Sequence, residues 1–274
     1  MATWRCGDRW YVSVPFTWQL GKAELAARAA RQENKALTIV AGGPAVKLAG
    51  APWADETPDS CPFDVLAMHN PCATFTTRGC PNRCPWCAVP RIEGDFQELP
   101  IWKPAPIICD NNLLAASRAH FSRVIDSLKP FPASDFNQGL DARFFTPWHA
   151  EQIRTLRNPK VRFAFDRLQD ETALVDAVAR CRANRLLDLG VYVLVGFHDT
   201  PEDALYRLRF VQELGIRPTP MRFQPLDALE KNAYVAPGWT DQELHRMVRY
   251  FSRLRWFEHV PYEDFQVPSA SLFP

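Results

Sequence analysis

The sequence predicts an α/β fold: a partial (β/α)6 TIM-like barrel with a small N-terminal βαβ extension and a C-terminal helical closure. Candidate strands recur at intervals of 27 to 32 residues, which is the length of one strand plus one helix. These strands begin near Thr74, Pro106, Ser134, Val161, Gly190 and Thr219. The segments between them carry apolar residues at helical spacing, and six such units are fewer than the eight of a closed barrel.

The N-terminal extension is predicted from a strand, helix, strand pattern. An alternating strand is expected over residues 10–16, an Ala- and Glu-rich helix over 22–33, and a short apolar strand over 37–41. The second strand ends at Gly42-Gly43-Pro44, which we interpret as a tight turn because the GxGxxG spacing of a dinucleotide site is absent. Residues 49–62 combine Pro and Asp with little periodicity, and they are interpreted as a linker.

The C-terminal part of the chain is interpreted as a helical closure of the open side of the barrel. A helix is predicted from Thr240 to His259, with apolar residues on one face. Its other faces carry arginines, which favour either a solvated surface or a nucleic-acid surface: Arg246, Arg249, Arg253 and Arg255. The predicted domains are an extension with its linker, the barrel, and the C-terminal closure: residues 1–62, 63–226 and 227–274.

Composition and charge exclude several classes of protein. Lys and Arg total 32 against 31 for Asp and Glu, so global charge predicts neither a nucleic-acid partner nor a membrane surface. No apolar run approaches the roughly 20 residues that a membrane span needs. With no apolar leader at the start, we expect a cytoplasmic protein, either a monomer or a weak dimer, that has no membrane partner. Clustered cysteines in a reducing cytoplasm indicate metal ligands or catalysts rather than disulfides.

Three cysteines in CxxxCxxC spacing follow the first strand of the predicted barrel: Cys80, Cys84 and Cys87. Thiolates grouped this closely suit one metal centre. Three of them leave one position open on a tetrahedral zinc ion or on one iron of a cubane cluster. The residues alone leave two other interpretations open, a zinc module completed by Cys72 or His69 and a passive electron-transfer protein.

Polar residues follow the later strands, at the end where α/β barrels gather their catalytic groups. They include Asp110, Asn111, Gln138, Arg143, Asp166 and His198. Any one of them is compatible with an ordinary helix cap, because Asp and Asn before a helix accept backbone N–H bonds. As a set they predict a site around the cysteine loop.

The cysteine loop, with Trp86 just before its last cysteine, resembles the signature of the radical S-adenosylmethionine (SAM) superfamily. Together with Asp110-Asn111-Asn112 and Gln138-Gly139-Leu140-Asp141-Ala142-Arg143, it is most similar to the group related to cobalamin-dependent and methylthiotransferase members. The resemblance covers roughly residues 74–226. It implies an oxygen-sensitive enzyme in which Cys80, Cys84 and Cys87 hold a 4Fe-4S cluster. It further implies that the cluster reductively cleaves SAM to a 5'-deoxyadenosyl radical, which abstracts hydrogen from a substrate.

The resemblance also implies roles for individual residues. It assigns Trp86 to the neighbourhood of the adenine, Asp110 and Asn111 to the amine of SAM, Gln138 and Arg143 to its carboxylate or ribose, Asp166 to the ribose, and the backbone of Val195 and Gly196 to the adenine. The usual Gly-Gly-Glu motif is absent, and Asp110-Asn111-Asn112 takes its place. No cobalamin is expected, because residues 1–68 contain no His and no DxHxxG pattern.

The implied partners are a one-electron reductant of flavodoxin or ferredoxin type and a substrate. The Arg and aromatic content of the C-terminal region favours a nucleic-acid base or nucleoside, which would be modified or rearranged. A peptide or a small metabolite is the alternative. The substrate-side candidates are His198, Arg222 and Tyr234.

Overall fold

The computed structural model describes residues 1–252 and 254–267. Arg253, within the predicted C-terminal helix, and residues 268–274, within the predicted C-terminal domain, lie outside the described residues. The described chain contains a three-stranded sheet, a six-stranded sheet and a two-stranded ladder. The predicted domain boundaries at residues 62 and 226 stay predictions.

The N-terminal unit confirms the predicted strand, helix, strand pattern and adds two elements to it. Its elements are β1 (Ala2–Cys6), β2 (Arg9–Ser13), α1 (Leu20–Glu33), β3 (Thr38–Gly42) and α2 (Pro44–Ala49). Strand β2 pairs in parallel with β3 and antiparallel with β1. β1 was not predicted, because an edge strand with no buried residue lacks the apolar alternation that marks a strand.

The Gly42-Gly43-Pro44 turn leads directly into a helix. Gly43 has φ 97°, and Pro44 occupies the first turn of α2, where its missing N–H costs no hydrogen bond. The next segment, interpreted as a linker, is mostly irregular, and an isolated bridge pairs its Glu56 with Val40 of β3. Side-chain hydrogen bonds join the N-terminal unit to the rest of the chain: the Thr17 hydroxyl donates to Ala228 O at 2.5 Å, Lys47 Nζ donates to Ile92 O at 2.6 Å, and His69 Nε2 lies 3.0 Å from the Ser13 hydroxyl.

Beyond residue 64 the strands and helices alternate as predicted. The elements are α3 (Val65–His69), β4 (Ala73–Thr74), β5 (Thr77–Arg78), α4 (Val89–Ile92), β6 (Gln97–Glu98), β7 (Ile107–Ile108), α5 (Arg118–Leu128), β8 (Ser134–Phe136), α6 (Pro147–Ile153), β9 (Pro159–Ala164), α7 (Glu171–Ala183), β10 (Leu189–Val195), α8 (Pro201–Glu213), β11 (Arg217–Arg222) and α9 (Asp241–Tyr250). All six predicted strands of the repeating segment are present and pair in parallel, in the order β4, β7, β8, β9, β10, β11. The short β5–β6 ladder was not predicted, because two residues carry no readable periodicity.

The core lies on one face of the six-stranded sheet. Phe163 and Val193 are fully buried there and belong to one cluster with helix residues such as Phe121 and Leu174. Along β10 the buried residues alternate with half-buried ones such as Tyr192 on the opposite face. The helices therefore cover one face of the sheet and leave the other partly open. Among the described residues, no helix combines the length and the apolar character needed to cross a membrane.

The C-terminal helix begins where it was predicted and ends earlier. Thr240 caps α9 in a reciprocal capping box with Glu243. The predicted end at His259 is wrong, because α9 ends at Tyr250. After it the chain folds back, so that the ring of Phe257 lies 6.3 Å from that of Tyr250. Arg255 has φ 56°, a left-handed conformation that no α-helix accommodates.

Candidate functional site

The chain leading into the cysteine loop is held by a buried carboxylate. Asp110, just after β7, accepts hydrogen bonds from the backbone N–H groups of Thr76 at 2.6 Å and Thr77 at 3.0 Å, and from the Thr76 hydroxyl. Asp110 is 4% exposed, and burial raises its pKa although these hydrogen bonds oppose the rise. The observed role of Asp110 is thus to fix the start of the loop. Its predicted contact with the SAM amine stays a prediction.

A second carboxylate, Glu93, joins the two ends of the cysteine loop. It accepts from the Gly79 N–H at 2.8 Å and from Asn111 Nδ2 at 2.7 Å, and it pairs with Arg78 at 2.8 Å. Gly79 has φ 69°, and a Cβ at this position would collide with the carbonyl group of Asp95, so only glycine fits. Glu93 also brings the predicted site residue Asn111 against the loop. Sequence reasoning missed it because an acidic residue after a short helix carries no distinctive pattern.

The three motif cysteines are half-buried free thiols. The Asn82 N–H lies 3.4 Å from Cys80 Sγ, and Asn112 Nδ2 lies 3.7 Å from the same sulfur. Burial raises the pKa of Cys84, and the nearby thiol of Cys87 adds to the rise. Burial likewise raises the pKa of Cys87, where a hydrogen bond from the backbone at Val89 opposes it.

The donor chemistry of this loop fits a metal centre, although the thiols are not gathered into one. Thiolates suit zinc and iron-sulfur centres, and N–H groups pointing at sulfur are the contacts that such ligands receive. The Asn112 side-chain oxygen is buried beside Cys80 without a hydrogen-bond partner among residues 1–252 and 254–267. Over the same residues, no three His, Cys, Asp or Glu side chains converge as a metal would require.

The residues of the zinc alternative do not complete the set. Cys72 is exposed, and His69 Nε2 lies 3.0 Å from the Ser13 hydroxyl. Burial lowers the pKa of His69. In the described part of the chain, neither of them forms a metal-binding group with the motif cysteines.

Arg143 is linked to the cysteine loop through Asp141, a residue of the same motif to which the sequence analysis assigned no role. Asp141 Oδ2 accepts from Asn82 of the loop at 2.8 Å and from Arg143 Nη2 at 2.6 Å. Arg143 Nε donates to the other oxygen of Asp141 at 2.8 Å. The ion pair with Asp141 raises the pKa of Arg143, which stays charged. Gln138, predicted to share its role, is exposed at the same edge of the sheet.

The residues at the end of β10 are packed against the helix layer. Gly196 has φ 78°, and a Cβ there would approach Leu244 Cδ2 of α9 to 2.6 Å. Its N–H donates to Asp199 at 3.0 Å, and its left-handed conformation favours glycine. Nearby, Asp166 accepts from the Leu194 N–H at 3.0 Å, and burial raises its pKa. The predicted contacts of Asp166, Val195 and Gly196 with SAM stay predictions.

The three substrate-side candidates lie together beside Trp86. The ring of Phe197 lies 5.8 Å from Trp86, 3.9 Å from His198 and 4.7 Å from Phe223. Phe223 meets the ring of Tyr234 edge-on at 5.4 Å, and Arg222 Nη2 donates to the Tyr234 carbonyl at 2.8 Å. We call these five rings the aromatic cluster: Trp86, Phe197, His198, Phe223 and Tyr234. Phe197 and Phe223, which join it, have no signal in the sequence beyond their place after a strand.

No family model matches this chain, and a search of curated proteins finds no match either.

Proposed function

We propose that the chain is a radical SAM enzyme built on a partial (β/α)6 barrel. The observation that carries this proposal is the position of the three-cysteine loop, after the first strand of a six-stranded parallel sheet. The strand order runs sequentially from β4 to β11 without the reversal of a doubly wound sheet, and helices cover only one face. Both features favour an open barrel over a flat sheet covered on both faces.

In this proposal Cys80, Cys84 and Cys87 hold a 4Fe-4S cluster, and SAM completes the coordination of the fourth iron. The chemistry supplied when both are bound is one-electron cleavage of SAM to a 5'-deoxyadenosyl radical that abstracts hydrogen from a substrate. The protein supplies the open coordination position, orientation and a water-poor site. The enzyme would be cytoplasmic and oxygen-sensitive, and it would receive electrons from a flavodoxin- or ferredoxin-type protein.

The hydrogen bonds of the site support roles for several side chains. Asn111 donates through its amide nitrogen to Glu93, which leaves its amide oxygen as the acceptor for a ligand ammonium. Arg143 is held by Asp141 and presents its remaining N–H groups to a carboxylate or ribose. The aromatic cluster supports a nucleic-acid base or nucleoside as substrate, because flat rings stack on bases of any sequence. A peptide or small metabolite is the alternative.

The test is anaerobic purification followed by reconstitution with iron and sulfide. The wild-type chain is expected to bind about four iron atoms and to release 5'-deoxyadenosine from SAM after reduction. Cys84→Ala is expected to lose both the cluster absorption and SAM cleavage. Cys72→Ala is the matched control, because this exposed thiol lies eight residues before the motif and should leave both unchanged. One zinc and no iron per chain, or SAM cleavage that persists in the triple Cys→Ala variant, would contradict the proposal.

A further inference from the structure

Arg222 is a buried arginine whose hydrogen bonds are incomplete. It ends β11 on the helix-packed face, in register with the fully buried Val195, and its side chain is 5% exposed. Nη2 donates to the Tyr234 carbonyl at 2.8 Å and to Asp241 at 2.9 Å. Nε and Nη1 are inaccessible to solvent, and no residue in the described ranges accepts a hydrogen bond from them. Part of the donor capacity of this guanidinium is therefore unused.

Unused donors on a buried cation indicate a missing anion. A guanidinium removed from water is stabilised by bound anions, and its planar fork suits phosphate and carboxylate. The only carboxylate recorded within ion-pair distance of Arg222 in the described chain is Asp241, whose side chain is 55% exposed. Asp241 is also the first residue of α9, so the positive end of the dipole of this ten-residue helix lies near Arg222.

The aromatic cluster lies next to this guanidinium. Tyr234 belongs to both, since its carbonyl accepts from Arg222 while its ring meets Phe223, the residue that follows Arg222. His198 at the outer side of the cluster is exposed, and Phe197, Phe223 and Tyr234 are half-buried. Partly exposed aromatic rings beside a cation with free donors match a ligand that joins a planar base to an anion.

We propose that the substrate is a nucleotide, whose phosphate binds Arg222 and whose base stacks on the Phe223 and Tyr234 side of the aromatic cluster. The assignment as a substrate rests on the proposed function, whereas the binding itself does not. Tyr234 belongs to the loop between β11 and α9, and Asp241 is the first residue of α9, so these two neighbouring segments supply the present partners of Arg222. Phosphate binding therefore requires a shift of these segments that uncovers Nε and Nη1, and the bound phosphate then competes for the guanidinium with the Asp241 carboxylate on Nη2.

The experiment measures ligand binding to the full chain by equilibrium dialysis. The protein is kept anaerobic, SAM is in excess to fill any adenosine site, and no reductant is present. The probes are the four common ribonucleoside 5'-monophosphates and the matching nucleosides. We expect at least one monophosphate to bind about ten-fold more tightly than its nucleoside, the difference that a charge-assisted hydrogen bond supplies. Inorganic phosphate should compete with the monophosphate and not with the nucleoside.

Variants test whether Arg222 contacts the phosphate or has only a structural role. Arg222→Met is expected to bring monophosphate affinity down to that of the nucleoside. The control is Arg217→Met, which replaces an exposed arginine at the start of β11 and should leave the affinities for monophosphate and nucleoside unchanged. Asp241→Asn removes the competing carboxylate and should raise monophosphate affinity several-fold without affecting the nucleoside. This second variant keeps the test decisive if Arg222→Met does not fold.

Equal affinity for monophosphate and nucleoside in the wild-type chain would overturn the proposal. So would an Asp241→Asn variant that leaves monophosphate affinity unchanged. A short oligonucleotide distinguishes the source of the phosphate. If it binds more tightly than the monophosphate, the ligand of Arg222 is a nucleic-acid polymer; if it binds more weakly, the ligand is a free nucleotide. Because the assay needs no cluster and no turnover, loss of SAM cleavage and loss of phosphate dependence are separate results.

Discussion

The two ends of the six-stranded sheet hold their loops with side chains of opposite charge. At the β4–β7 end, Asp110 and Glu93 each gather three donors and fix the chain on either side of the cysteines. At the β10–β11 end, Arg207 and Arg222 gather backbone carbonyls and one carboxylate each.

The two ends differ in whether the hydrogen-bonding groups of their buried charged side chains are all used. The acids at the cysteine end each have several donors, so hydrogen bonds within the protein hold the chain on either side of the cysteines. At the other end Arg207 is engaged, whereas Arg222 keeps donors that no described residue uses. The cysteine end is therefore held by its own hydrogen bonds, and the arginine end retains capacity for a ligand.

Arg207→Met should have the largest effect on stability. Arg207 is 2% exposed, donates to the carbonyls of Phe165 and Leu194, and pairs with Asp199. Removing one partner of a buried ion pair leaves the other charge uncompensated, at a cost of about 3–5 kcal/mol in the free energy of unfolding. Urea denaturation measures this cost.

The matched control for this change is Arg209→Met, two residues along the same helix. Arg209 forms an exposed pair with Glu263, and such pairs contribute about 0–1 kcal/mol. Equal effects of the two substitutions would mean that the β10 end is not held by its buried arginine, and the comparison between the two ends would fail.

Gly79→Ala and Gly196→Ala test how rigidly each end is built. Both glycines have positive φ, but a Cβ at Gly79 meets backbone of Asp95, whereas at Gly196 it meets the tip of the Leu244 side chain. A side chain can rotate away and backbone cannot. We expect a loss of about 3 kcal/mol for Gly79→Ala and about 1–2 kcal/mol for Gly196→Ala, measured by urea denaturation. The reverse order would show that the cysteine end is the more adaptable one.

The fold was predictable from sequence wherever one face of a strand is buried. β9 and β10 alternate buried and half-buried residues, so their positions are readable from the pattern alone. β1 is not, because it has no buried residue. The early end of α9 was also missed, since the aromatic residues that fold back over Tyr250 continue an apolar pattern in sequence.

The site was predictable only for residues that carry a motif. Spacing or position in the sequence predicts the three cysteines, Trp86 and the polar residues at the strand ends. Glu93 lies outside every motif, and Asp141 lies within one that gives no sign of its role. Each acts through a partner distant in sequence: Asn111 is 18 residues from Glu93, and Asn82 is 59 residues from Asp141. Such contacts exist only after the sheet has brought its strand ends together.

Glu93→Gln should give a small loss of stability and a direct effect on the cysteine loop. The neutral amide keeps the shape of Glu93 and one acceptor oxygen, but it loses the ion pair with Arg78. Its NH2 group replaces either Oε2, which accepts from both Gly79 and Asn111, or Oε1, which pairs with Arg78. We expect a loss of about 1–2 kcal/mol in the free energy of unfolding. We also expect lower iron content after reconstitution, because the two ends of the loop are no longer tied.

Asp95→Asn is the control for Glu93→Gln, since Asp95 lies two residues away and its pair with Arg83 is almost fully exposed. It should leave both unfolding and iron content nearly unchanged. If Glu93→Gln loads iron as the wild-type chain does, the cysteines gather around the cluster without help from the loop's buried acids. The metal would then organise that end of the sheet, and both ends would depend on their ligands for final order.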